Sequence, residues 1–408
     1  MLDLSKYISP GDGVWWSQLG AEPEPLVHAL LDQLDEIEPI RAFVGITWNE
    51  RLLQDLRPSL GLVSYGALGG LRSIKEAGRL SVIPCNYSSL PRLFAAGRLP
   101  SDVGLVQVSP PDSNGLCSLG IGVDYVADAI AHTRTLIAEI NARMPPTSGT
   151  PRIPLSRFSA VVETDRPLTN APRYKVGDVE RQIARHVATL VEDRDTIQVG
   201  VGVLPEAVME ALTSHRDLGF HSGTVSEGIL DLVDCGAVTG AFKEINRGKI
   251  VTGSAQGGAK LYNRIHELPI EFKPASYTHS SQVLGNLRSF VSINSAIEVD
   301  LTGQVGSEIR RGVYVGAVGG QADFSRAGAS TGARSIIALR STWHGESNIK
   351  PALESGVVTT PRSDIDFLVT EYGVAELRGC DVDERVRRIA NIAAPEHRDQ
   401  LAQSIAKR

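Results

Sequence analysis

An alternation constrains this chain more than any single motif does. Short apolar runs, "RAFVGIT" (41–47), "LSVIPCN" (80–86), "VGLVQVS" (103–109) and "TLIAEIN" (135–141), alternate with patterns of helical period such as "EPLVHALLDQL" (24–34) and "DYVADAIAHTR" (124–134). Apolar runs without polar alternation, separated by amphipathic helices, predict parallel strands buried between helical layers. "PPTSGTPRIPLSRF" is rich in turn formers, and "PLTNAPRYKVGD" (167–178) is the best linker. The pattern then restarts with helices "VGDVERQIARHVATLV" and "LPEAVMEALTSH" and strands "TIQVGVG", "GKIVTGS", "SFVSINS", "GVYVGAV", "SIIALRS" and "DFLVTEYG". A chain of 408 residues exceeds one ordinary core. The expectation is two related open α/β domains, 1–170 and 178–408, facing across a cleft. "VSYGALGG" (63–70) resembles "VYVGAVGG" (313–320) and reads as a trace of duplication.

Composition excludes several classes. With 42% hydrophobic and 22% charged residues, and no apolar stretch of bilayer length, the sequence reads as a soluble globular protein. Its opening, "MLDLSKYISPGDG", has no basic-then-apolar secretory pattern, so a cytoplasmic location is expected. A net charge of -6 with mixed signs offers no basic stripe for nucleic acid. Cys85, Cys117, Cys235 and Cys380 form no CxxC pair and are expected to be reduced, and the nine histidines show no HExxH or HxH, so no metal site is expected.

Candidate sites cluster where strands end. "QVGVGVLPEAV" (198–208) sets Gly200, Val201 and Gly202 between a strand and a helix carrying Pro205 in its first turn. Free N–H groups at such a helix start can bind an anion or a developing oxyanion, or the glycines can simply make a tight turn. "GAVGGQADF" (316–324) puts Gly316, Gly319 and Gly320 after a β-branched run, with Gln321 as a further donor or acceptor, against the plainer reading of a bulge. "PPDSNG" (110–115) reads as a turn, and Glu371 as a cap or ion-pair partner as readily as a site residue. "GFHSGTVSEG" (219–228) gathers His221, Ser222, Thr224, Ser226 and Glu227 between glycines. No GxSxG elbow accompanies them, so Ser/His/Asp catalysis is not supported.

Together, "VQVSPPDSNGLCSLG", "IAEINARMP", "QVGVGVLPEAV", "DLGFHSG", "VSINSAIEVDLTGQV", "GAVGGQADFSR" and "VTEYGVAELRG" give the chain a resemblance to the acetyl-CoA hydrolase/transferase family of CoA-transferases, from about residue 9 to 401. The resemblance implies two α/β domains with acyl-CoA between them and a homodimer or larger homo-oligomer. It also implies a glutamate that attacks the thioester, giving an anhydride and then an enzyme-CoA thioester. Aligned with the family phrase, "DLGFHSGTVSEG" sets Gly223 where that nucleophile belongs and Glu227 four residues later.

Two classes of function follow. One is an acyl-CoA enzyme without the glutamate, in which the glycine at 223 makes room for water or another small acceptor and Glu227, or else His221, is the base. A variant of it keeps CoA transfer to a carboxylate through a shifted Glu227. The other is a non-catalytic acyl-CoA-binding paralogue. In each, Gly200, Val201, Gly202, Gly319, Gly320 and Gln321 contact the CoA thioester, no metal takes part, and Trp15, Trp16 and Trp343 are candidates for an acyl pocket.

Overall fold

The computed structural model describes residues 2–55, 57–330 and 332–405. In the N-terminal half, strands β1 (Gly13–Trp16), β2 (Ile40–Phe43), β3 (Leu60–Ser64), β4 (Leu80–Val82), β5 (Val103–Val108), β6 (Thr135–Asn141) and β7 (Ala160–Thr164) form one parallel sheet. Its order is β4-β3-β2-β1-β5-β6-β7. Every residue of the "VGLVQV" of β5 is buried, as expected for a strand covered on both faces. Residues 165–177 have no regular structure and lead into helix α1 (Asp178–Ala188).

The second sheet contains β8 (Thr196–Val199), β9 (Gly219–His221), β10 (Ile250–Thr252), β11 (Ile270–Phe272), β12 (Phe290–Ser295), β13 (Arg334–Ala338), β14 (Phe367–Thr370) and β15 (Gly373–Glu376). It is ordered β11-β10-β9-β8-β12-β13-β14-β15, with all pairs parallel except β14 with β15. Without β15, the two sheets share one strand order. The two halves therefore repeat one topology.

The sequence echo is not a trace of this repeat. Residues 63–70 run from the last two residues of β3, the third strand of the first sheet, into the loop after it, whereas 313–320 lie between β12 and β13, the fifth and sixth of the second. The two segments instead touch each other: Gly66 bridges Ala317, and the Ala67 N–H donates to the Gly316 carbonyl at 2.8 Å. A Cβ on Gly66 would lie 2.4 Å from that of Ala317, so small residues recur because two backbones meet there. The expected strand "GVYVGAV" also differs. Only Val313–Tyr314 is extended, in a hairpin with Ile309–Arg310 outside the main sheet.

Backbone contacts join the halves. The Val123 and Asp124 N–H groups donate to the Gly253 carbonyl, and the Tyr87 N–H to the Gly319 carbonyl at 2.8 Å. A continuous apolar cluster runs from Phe43 and Tyr125 to Ile197 and Phe220, so the halves share a core. Trp15 and Trp16 lie in the core of the first half, fully buried, and Trp343 is exposed on the surface of the second. Burial in the sheet takes the first two out of any acyl pocket.

Candidate active site

The second sheet reverses its order between β8 and β12. At such a switch point the loops leaving the strands part, and a crevice opens at their carboxyl ends. Gly200 follows β8 into α2 (Val203–Ala211), with Gly202 at φ +128°, a conformation that strongly favours glycine. The Gly200 N–H donates to the Ile293 carbonyl of β12 at 3.2 Å, so any donor this turn offers a ligand comes from Val201 or Gly202. Just past β9, Ser222 Oγ donates to the Val199 carbonyl at 3.0 Å, which brings Gly223 level with Gly200 at the carboxyl ends of β8 and β9.

Gly223 has no free space beside it. A Cβ there would lie 2.7 Å from Cε1 and 2.9 Å from Nε2 of His279, closer than real Cβ contacts allow. The expected room for an acceptor is filled by an imidazole. His279 follows the short helix α3 (Ala275–Thr278) and precedes α4 (Ser281–Leu284). Its ring is held between Tyr87 of the first half, with centroids 4.7 Å apart, and Phe324 of the second, at 4.6 Å. Phe324 belongs to α5 (Gln321–Gly328). Gly320 meets the same ring, for its Cβ would fall 2.5 Å from Nε2. Two glycines that the sequence marks, 97 positions apart, thus flank one histidine.

Thr278 holds Nδ1. Its hydroxyl lies 2.9 Å from His279 Nδ1 and 3.3 Å from the Pro274 carbonyl, and in the arrangement where it donates to that carbonyl it accepts from Nδ1. Nε2 has no hydrogen-bond partner among the described residues. Burial, and then the neighbouring His221, push this imidazole down to about 3, so it is neutral at physiological pH. His279 lines a cleft of about 880 Å³ between the halves, with Asn86, Ser88 and Arg92 on one side and Ser276 and Asp323 on the other. Asp323 spans the cleft, accepting from the Ser88 N–H at 3.1 Å and from its hydroxyl at 2.6 Å. Burial raises its carboxyl to about 6.

His221 sits behind Thr278, and Glu227 lies in another cleft. His221 is fully buried, its Nε2 donates to the Thr278 carbonyl at 3.1 Å, and desolvation followed by nearby Lys243 pushes it down to about 3. Glu227 Oε2 accepts from the Gly258 N–H at 3.0 Å, in a second cleft of about 510 Å³ shared with Tyr174, Glu206 and Lys260. The extended residues Thr224–Ser226 carry it away from His279.

Gly319 turns the chain at φ +54° into α5, where Gln321 is the first residue. The buried Nε2 of Gln321 has no partner among the described residues, which leaves a side-chain donor beside Gly320 that a ligand oxygen would satisfy. Glu371 has a capping role, accepting from the Ser341 N–H at 2.9 Å and hydroxyl at 2.6 Å. Asp112 closes the "PPDSNG" turn on the Asn114 and Leu116 N–H groups. All four cysteines are free. Among the described residues no group of three His, Cys, Asp or Glu is placed to hold a metal, and no helix is long and apolar enough to cross a membrane.

Residues 3–170 match the model of the acetyl-CoA hydrolase/transferase N-terminal domain, and 257–405 that of its C-terminal domain. The chain belongs to the acetyl-CoA hydrolase/transferase family. It is an acyl-CoA hydrolase/transferase by membership, with the reaction type open. It is 40% identical over 398 residues to a 4-hydroxybutyrate coenzyme A transferase of Clostridium kluyveri, covering 95% of this chain and 92% of that one. A succinyl-CoA:acetate/propanoyl-CoA:succinate CoA transferase of Fasciola hepatica is 35% identical, over 97% of this chain and 84% of its own. Among solved structures, RipA from Yersinia pestis superposes with a TM-score of 0.93 at 32% identity, covering 99% of this chain and 95% of that one. For a 4-hydroxybutyrate CoA-transferase of Porphyromonas gingivalis the TM-score is 0.82 at 30% identity, with the same coverage. The family's α/β architecture is that of this chain.

His279 has no signal in the sequence reading. It stands in "SYTHSSQ", without a motif and 56 positions from Gly223. The two glycines that flank it are legible, yet only the fold brings them to one ring.

Proposed function

We propose that this chain cleaves an acyl-CoA thioester by passing the acyl group directly to water or another small acceptor, without an enzyme-bound CoA intermediate. One observation carries the reading. Position 223, which the family resemblance assigns to the nucleophilic glutamate, is a glycine whose side-chain space is occupied by His279. No carboxylate can be built there without displacing the ring.

The thioester would lie in the crevice between the halves, with its carbonyl oxygen towards the Val201 and Gly202 N–H groups or towards the unpartnered Gln321 amide. Gly319 and Gly320 would let it approach the backbone. A preorganised donor aimed at the oxyanion is worth about 3 kcal/mol, on the order of a hundredfold in rate. A homodimer or larger homo-oligomer is part of this reading, carried by the family resemblance.

A second reading, CoA transfer to a carboxylate through Glu227, is favoured by the relatives named as CoA transferases. Against it stands the Glu227 carboxylate, bound to the Gly258 N–H in another cleft. The experiment that separates the two supplies a panel of acyl-CoAs with and without carboxylate acceptors and follows free thiol and new thioesters. Thiol release that needs no carboxylate supports direct acyl transfer. A new CoA thioester formed only with a carboxylate supports the second reading, and no turnover with any acyl-CoA points to a binding paralogue.

A further inference from the structure

We infer that His279 is the general base of this site. The inference rests on the glutamate-free reading above and names the group that replaces the missing carboxylate.

Four observations converge on Nε2. It lies within 2.9 Å of where a Cβ on Gly223 would stand and 2.5 Å of where one on Gly320 would stand, so it sits at the point where the family resemblance sets the reacting group. Nδ1 is engaged by the Thr278 hydroxyl at 2.9 Å, and the tautomer this assignment requires donates there, which leaves Nε2 as an acceptor. Tyr87 and Phe324 hold the ring from the two halves, so its direction is set by packing. The ring is 5% exposed and lines the cleft between the halves. An imidazole oriented through Nδ1, with Nε2 presented to the reacting proton, has the division of roles that a histidine base requires.

The step balances without a further reagent. A water molecule forms the bond from its oxygen to the thioester carbonyl carbon, and Nε2 takes the proton from the breaking O–H bond. The carbonyl π electrons move to the oxygen, facing the donors named above. Collapse of this intermediate breaks the C–S bond, and the imidazolium returns its proton to the sulfur. The products are a carboxylic acid, which ionises, and the free thiol of CoA. An imidazolium held far below its ordinary pKa is a ready donor, so the same burial that makes the base reluctant speeds the second half. The charged or titratable neighbours are His221 across Thr278, Arg92, Asp323, Arg326 and Asp364 in the cleft wall, and Asp124, which reaches Tyr87 through Gln18.

The test uses the full chain with acetyl-CoA and butyryl-CoA, and compares His279→Gln, His279→Ala and Glu227→Gln. Both His279 variants should lose about 10²- to 10⁴-fold in kcat, while affinity for a thioether analogue of acetyl-CoA changes little. Added imidazole should restore part of the His279→Ala rate, which a structural role would not allow. The unaltered protein should hydrolyse more slowly in heavy water and show no acyl adduct by intact mass, readouts that hold even where a variant does not fold. The inference is overturned by kcat close to wild type in the folded His279 variants, by equal rates in heavy and light water, or by an acyl group covalently on His279. It is equally overturned if Glu227→Gln abolishes turnover while His279→Gln does not. A wild-type protein inert towards every acyl-CoA would sink the proposed function itself; an active one indifferent to His279 would sink only this assignment.

Discussion

The imidazole of His279 occupies the space into which a side chain at Gly223 would grow, with 2.7 Å between Cε1 and the Cβ position. One residue thereby explains why the other has no side chain. On the proposed reading, the position assigned to the nucleophile is a repacked site.

Restoring the glutamate alone should therefore fail. Gly223→Glu forces an overpacked contact on a ring fixed by Tyr87 and Phe324, and should cost about 1–3 kcal/mol in urea unfolding. Gly223→Glu with His279→Ala should recover that loss and, with acyl-CoA, yield a CoA adduct detectable by intact mass. A single variant as stable as the wild type would mean that the ring moves aside freely.

Phe324 supports the same ring from the C-terminal half. It is 3% exposed and also packs on Phe290, with centroids 6.3 Å apart. Phe324→Ala should destabilise the protein by about 3–5 kcal/mol and lower kcat more than it raises KM. Equal stability and kcat, measured by denaturant titration and thiol release, would separate His279 from its packing.

A pH effect is expected from Lys243. Its ammonium is 1% exposed and donates to the Phe220 carbonyl at 2.9 Å and the Lys249 carbonyl at 2.8 Å, and burial pushes it down to about 8. A cation whose folded pKa is depressed stabilises the fold above its unfolded pKa and loses that contribution as pH falls through the folded value. Relative to Lys243→Met, the wild type should gain roughly 2 kcal/mol between pH 8 and 9.5, at about 1.4 kcal/mol per unit. Parallel stability curves for the two proteins over that window would remove Lys243 as the cause.

Local pattern made much of the fold legible. Strands such as β5, β6 and β12 are buried along nearly their whole length, and their mainly apolar runs carry that signal in the sequence. "GVYVGAV" carries the same β-branched signal, but its strand is a two-residue hairpin arm where Val313 is exposed. Composition does not distinguish a buried strand from a hairpin. Likewise the echo between 63–70 and 313–320 reports a contact between two backbones, not equivalent places in two sheets. At the site, the register of "DLGFHSGTVSEG" singles out Gly223, and "GAVGGQADF" singles out Gly320 and Gln321. His279 is illegible because nothing local marks it, and its neighbours come from three distant segments.

The most direct measurement follows free thiol and intact protein mass together while the full chain is incubated with an acyl-CoA and no carboxylate acceptor. Direct acyl transfer to water predicts steady thiol release with the protein mass unchanged. Thiol release that requires a carboxylate, accompanied by a covalent CoA adduct on the protein, would contradict it.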